Sequence, residues 1–145
     1  MPAQPVLIDL QRAGKTIPAL VQATKMGMLF VLDRQTGEPL FGIEERAVPQ
    51  NGVPGEVLSP TQPFSALPSL VPNGPLTPAD AWGFTPWDRG KCADKFAKLR
   101  SEGIYTPPSL EGTIEWPGYS GGSNWGGVSF DPTRQLVIAN TNRLP

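Results

Sequence analysis

The chain has 145 residues, with 12 basic and 13 acidic side chains, a formal charge of −1, no histidine and one cysteine. These absences exclude a serine–histidine or cysteine–histidine nucleophilic pair, a histidine-containing metal site and an internal disulfide framework. Charges of both signs are interspersed, so no basic stripe can neutralise phosphates and no nucleic-acid partner is expected.

Three strand-length apolar runs open the sequence: Val6 to Leu10, Ile17 to Gln22 and Met28 to Asp33. The short turns between them predict an antiparallel meander, and Pro18 falls near the start of its strand. Residues 44–81 carry eight prolines and little periodicity, which predicts a long irregular insertion anchored by Phe64, Leu67, Leu70 and Val71. A helix is predicted over 91–101, where Cys92, Phe96 and Leu99 share a face and the lysines lie largely outside it. Cys92 reads as a buried structural thiol. Thr113 to Trp116 reads as a short strand. Gly127 to Phe130 and Leu136 to Ala139 read as a hairpin around Asp131-Pro132-Thr133-Arg134. Trp82, Trp87 and Trp116 are expected to pack. With 16 glycines and 18 prolines, the whole is mainly β with one short helix and a long proline-rich loop.

Val31 to Phe41 (VLDRQTGEPLF) carries the most informative pattern. Asp33 can accept hydrogen bonds from the N–H groups of the turn, Gly37 can adopt positive φ, and Phe41 starts the next strand with a large apolar surface. The stretch resembles the tryptophan-docking motif of quinoprotein dehydrogenase propellers, Ala-x-Asp-x-x-Thr-Gly-x-x-x-Trp, with Val31 and Phe41 at the Ala and Trp positions. Met1 to Pro5, Ala23 to Arg34, Ser59 to Ser65, Glu102 to Pro108, Trp125 to Gly127 and Ile138 to Asn140 extend the likeness in order along the chain. They resemble the membrane-bound glucose dehydrogenases dependent on pyrroloquinoline quinone (PQQ), a subfamily that includes quinate and shikimate dehydrogenases.

The resemblance implies a partial quinoprotein β-propeller over residues 1–145, and oxidation of a sugar or cyclic polyol with PQQ. Ubiquinone would accept the electrons on the periplasmic side of the inner membrane, and a calcium or magnesium ion is expected in the complete enzyme. Lys25, in a Thr-Lys-x-Gly turn, corresponds to the lysine that reaches the ortho-quinone, where an ammonium stabilises negative charge. Trp125 offers a flat indole between glycines that could let the backbone approach a planar ligand. With Asn124 it resembles the Asn-Trp pair that contacts the quinone in alcohol dehydrogenases. Asn140, at a strand end, corresponds to an asparagine near the cofactor. Glucose-oxidising members carry an acidic residue at the position of Asn124, which keeps quinate or shikimate oxidation open. A non-enzymatic propeller scaffold is the other reading, but a scaffold has no need of Lys25 or the Asn124-Trp125 loop.

No catalytic base and no metal ligand is expected among these residues, because the family's aspartate base precedes the Pro-Ala-Gln-Pro segment. A blade takes roughly 40–50 residues, so the chain corresponds to two to three blades and cannot close a propeller alone. Open strand edges would then invite self-association, and the isolated chain is expected to show no turnover.

Overall fold

A computed structural model describes residues 3–145. Met1 and Pro2, which begin the first of the peptides named above, lie outside the described residues. The opening meander forms as expected: β1 (Val6–Arg12), β2 (Lys15–Ala23) and β3 (Leu29–Asp33) pair antiparallel in that order. Its register sets Ile8 opposite Ala19 and Val21 opposite Val31, so the alternation of each strand puts Ile8, Ala19, Val21, Ala23 and Val31 on one buried face. Leu7, Leu20, Phe30 and Leu32 occupy the other face, which is also apolar. A sheet hydrophobic on both faces is built to be covered on both sides.

The Asp33 turn closes this unit as its residues require. Asp33 Oδ1 accepts from the N–H groups of Gln35 at 2.7 Å and Thr36 at 3.3 Å. Gly37 has φ +80° and donates its N–H to the Asp33 carbonyl at 2.8 Å. Phe41 then packs against the core, with the Arg12 guanidinium 5.2 Å above its ring. The predicted hairpin forms as β6 (Val128–Asp131) and β7 (Leu136–Ala139). Val128, Phe130, Val137 and Ala139 cover the first buried face of the meander.

The long insertion is more regular than its prolines suggest. β4 (Ile43–Ala47) and β5 (Thr61–Ser65) form a two-stranded ribbon, in which Pro63 lies opposite Glu45. Each strand of such a ribbon has a free edge, where a missing N–H costs little. The helix α1 spans Pro86–Phe96, five residues earlier than predicted. Its start is set by a cap: Thr85 Oγ1 accepts from the Asp88 N–H at 3.2 Å, and Pro86 supplies a preset φ at the first helical position. It ends before Leu99 because Arg100 is drawn into a bridge with Thr113. That bridge is the only β pairing of the segment 113–116 among the described residues, so no strand forms there.

Three expectations about packing need correction. Trp82 and Trp87 are 76% and 78% exposed, so neither packs within the chain itself. Cys92 is half-buried rather than buried, since α1 buries no residue fully. Trp116 does pack, at 7% exposure, and its indole N–H donates to the Pro72 carbonyl at 2.7 Å. The architecture is therefore mainly antiparallel β in three small sheets, with one short α-helix, a single 3-10 turn at Pro78–Asp80 and no closed barrel or ring among the described residues.

Candidate functional site

Lys25 lies in the tight turn that joins β2 to β3. The Thr24 N–H donates to the Met28 carbonyl at 2.9 Å and the Gly27 N–H to the Thr24 carbonyl at 3.0 Å. Thr24 Oγ1 accepts from the Met28 N–H at 3.2 Å, which locks the turn from within. Gly27 has φ +74° and its α-face is covered by Val71, so a side chain there would be strained and would collide. Val71, 2% exposed, is brought to the turn by the Leu70 N–H, which donates to the Gly27 carbonyl at 2.7 Å.

The glycine-rich segment 121–127 is laid directly on this turn. Gly122 is the junction: its N–H donates to the Lys25 carbonyl at 2.7 Å and its carbonyl accepts from the Asn142 N–H at 2.9 Å. A Cβ on Gly121 would lie 2.8 Å from Lys25 Cγ, so only glycine lets the lysine stem pass at this distance. The Lys25 ammonium then donates to the Tyr119 carbonyl at 2.6 Å, which uses one of its three hydrogens. The glycines expected to admit a planar ligand thus serve, at 121 and 122, to admit Lys25, Val71 and Gly27.

Asn124 and Trp125 follow Gly122 by two and three residues, and Asn140 precedes Asn142 by two. All four candidate residues therefore lie on three segments that Gly122 ties together. Asn124 donates its amide to the Ser120 carbonyl at 2.6 Å. Trp125 is 83% exposed, with its indole open to solvent, and Asn140 is exposed just beyond β7. Two polar atoms of this loop are buried without a partner among the described residues: Ser123 Oγ and Asn124 Oδ1. Ser123 and Tyr119 carry no local sequence signal of their role, and Val71 was legible only as an apolar anchor of the insertion, not as the cover of the Lys25 turn.

Lys25 also lines a cavity of about 700 Å³ over the second apolar face, with Leu20, Gln22, Met26, Phe30 and Tyr105 among its walls. Neither Trp125 nor Asn140 reaches that cavity. Burial first, and then the charge of Glu45, push the Tyr105 phenol above its ordinary pKa of 10.0, so it stays a protonated donor at neutral pH. No group of three or more acidic or thiol side chains converges among the described residues.

An open antiparallel sheet with two apolar faces, tied by an Asp-Thr-Gly turn to an aromatic, defines a blade-type β module. The family comparison gives the same architecture: the model "PQQ: Glucose/ethanol/alcohol dehydrogenase, beta-propeller domain" matches residues 1–145. The chain belongs to this family of PQQ-dependent dehydrogenase propellers. It is 45% identical to the quinoprotein glucose dehydrogenase of Escherichia coli (strain K12) over 145 residues, covering 100% of this chain and 18% of that protein. It is 47% identical to the glycerol dehydrogenase large subunit of Gluconobacter thailandicus over 148 residues, covering 99% of this chain and 20% of that protein. The quinate/shikimate dehydrogenase (quinone) of Acinetobacter baylyi is 41% identical over 145 residues, with 99% and 18% covered. The chain thus spans about a fifth of the length of these relatives. No solved structure matches it.

Proposed function

We propose that residues 1–145 are one stretch of the propeller of a PQQ-dependent dehydrogenase that oxidises a sugar or polyol hydroxyl, and that Lys25 is the cation beside the quinone. The observation that carries this reading is the junction at Gly122, which holds the Lys25 turn, the Asn124-Trp125 loop and the segment after Asn140 together. The local chemistry fits the cofactor, a planar anionic quinone. Lys25 keeps ammonium hydrogens beyond the one given to Tyr119, Trp125 offers an open aromatic face, and Ser123 Oγ and Asn124 Oδ1 are buried polar atoms in need of partners.

PQQ supplies an ortho-quinone that accepts the two electrons of alcohol oxidation. Lys25, anchored by its stem along Gly121, would present positive charge where oxygen becomes negative, and a partly buried cation acts there more strongly than a solvated one. Asn124, Trp125 and Asn140 would hold the cofactor's plane and rim. In this reading residues 44–81 are an insertion within the propeller, the electrons go to ubiquinone, and the enzyme works on the periplasmic side of the inner membrane. No helix among the described residues is long and apolar enough to cross a membrane.

Equilibrium titration of the chain with PQQ, followed by quenching of tryptophan fluorescence, tests the reading. Lys25→Ala is expected to weaken binding about tenfold or more, the loss of one charge-assisted contact. Equal affinity of the variant and the parent chain, or no binding by either, removes the role given to Lys25.

A further inference from the structure

A second cavity, of about 450 Å³, adjoins the one that Lys25 lines; Met26 and Tyr105 belong to both. Its walls differ in kind. The Lys25 cavity is walled mostly by aliphatic and aromatic side chains, whereas the second gathers Tyr105, Thr106, Ser109, Thr113, Glu115 and Trp116. Tyr105 sits at the boundary with φ +67°, a left-handed conformation rare for a bulky residue, and its ring meets Phe64 edge-on at 5.7 Å.

The hydrogen-bond state of these groups decides what the cavity can take. Thr106 donates its hydroxyl hydrogen to the Gly103 carbonyl at 2.6 Å, and Ser109 to the Gly112 carbonyl at 3.3 Å. Thr113 lies 3.1 Å from both the Pro107 carbonyl and Ser109 Oγ. The indole N–H of Trp116 is committed to Pro72, so the tryptophan offers only its ring. With those hydrogens turned inward, Ser109 and Thr113 keep oxygen lone pairs, whereas Thr106 Oγ1 already accepts from the Glu102 N–H at 3.0 Å; the exposed Glu115 carboxylate is acceptor-only. Glu115 forms no ion pair among the described residues, and the charge of Glu45 also acts on Tyr105.

We propose that the cavity walled by Tyr105, Ser109, Thr113, Glu115 and Trp116 is a subsite for a neutral polyol, and that it disfavours substrates bearing a carboxylate. An acceptor-rich wall needs a ligand that donates several hydrogens, as a vicinal diol does, and Tyr105 donates one hydrogen in return. The apolar C–H edge of the same ligand can rest on Trp116. A carboxylate brings only acceptors and a negative charge to a wall that already carries Glu115, which is unfavourable on both counts. Identifying the bound polyol as the oxidised substrate rests on the reading of Lys25, one residue from Met26, as the cofactor's cation.

Amide ¹H–¹⁵N spectra of the full chain, titrated separately with glucose, glycerol and quinate at neutral pH, test the proposal. Glucose or glycerol is expected to shift resonances of residues 104–116, with quinate at least about fivefold weaker. Tyr105→Phe, which keeps the ring and its packing on Phe64, is expected to weaken polyol binding about fivefold. Glu115→Gln, at an exposed position, is expected to bring quinate to within a few-fold of glucose. The same spectra report whether each variant is folded. Polyols that leave 104–116 unmoved, or quinate that binds the parent chain as well as glucose, overturn the proposal. PQQ binding without polyol binding removes this subsite and leaves the cofactor reading standing. Polyol binding without PQQ binding supports the subsite and removes the cofactor reading.

Discussion

Gly122→Ala probes the junction on which the candidate site is built. A methyl group at 122 would lie 2.9 Å and 3.0 Å from the two methyl carbons of Val71 and 3.3 Å from Gly27 Cα. The backbone of Gly122 lies outside the left-handed region, so the cost is steric rather than conformational. Val71 is 2% exposed and cannot swing into solvent. Overpacking of this kind costs about 1–3 kcal/mol, which for a chain of this size lowers Tm by about 3–9 °C. Val71→Ala alone costs about 2 kcal/mol through lost burial and a small cavity. In the double variant the new methyl occupies the space vacated by Val71, so the combined loss falls short of the sum by about 1 kcal/mol or more. Urea unfolding at constant slope measures all four corners of this cycle. Additivity within about 0.5 kcal/mol would mean that Gly122 and Val71 do not touch, and the account of how Lys25 is held would fail.

Three further expectations concern other parts of the molecule. Ser123→Ala removes a buried hydroxyl that has no partner among the described residues and is expected to stabilise the chain by about 1 kcal/mol; a lower urea midpoint contradicts this. Asp131 is held below its ordinary pKa of 3.8, first by the Arg134 N–H, then by the Arg134 side chain, and also by the Thr133 N–H. A depressed carboxylate stabilises the folded state above its unfolded pKa and loses that contribution on acidification. The midpoint of the parent chain should therefore fall more steeply below about pH 4 than that of Asp131→Asn, and parallel curves refute the linkage. Leu7, 62% exposed on the edge strand β1, is expected to promote association, so Leu7→Lys should lower the sedimentation coefficient at high concentration. An unchanged concentration dependence excludes that edge.

The parts of the fold that sequence made legible are those governed by short-range chemistry. Asp33, Thr36 and Gly37 could be read because a carboxylate, the N–H groups within three residues of it and a positive φ suffice to form the turn. The β6–β7 hairpin was legible for the same reason, with Asp131 closing its own turn. The start of α1 was equally local, in Thr85-Pro86-Trp87-Asp88, but apolar periodicity pointed further along the chain and the cap was overlooked. The β4–β5 ribbon was hidden by Pro63, which argues against a strand unless the pairing leaves a free edge. Exposure of Trp82 and Trp87 depends on what lies opposite them, which composition does not encode.

Legibility of the candidate site divides along the same line. Lys25, Asn124, Trp125 and Asn140 emerged from peptides that resemble a family, each judged by its own neighbours. What joins them did not emerge. Val71 reaches the Lys25 turn from 44 residues away, and Gly122 reaches it from 97 residues away, contacts with no periodic signature. Glycine at 121 and 122 signalled a close approach correctly, yet its partner is the lysine stem and Val71.

The most direct measurement is the resonance of the Lys25 side chain itself. Its Cε–Hε signals, assigned by their loss in Lys25→Arg, can be followed as PQQ is added to the chain. They are expected to shift in step with the indole N–H of Trp125, while those of Lys91 and Lys95 on α1 stay in place. A titration that moves Trp125 and leaves Lys25 at its starting position would contradict the role given to Lys25.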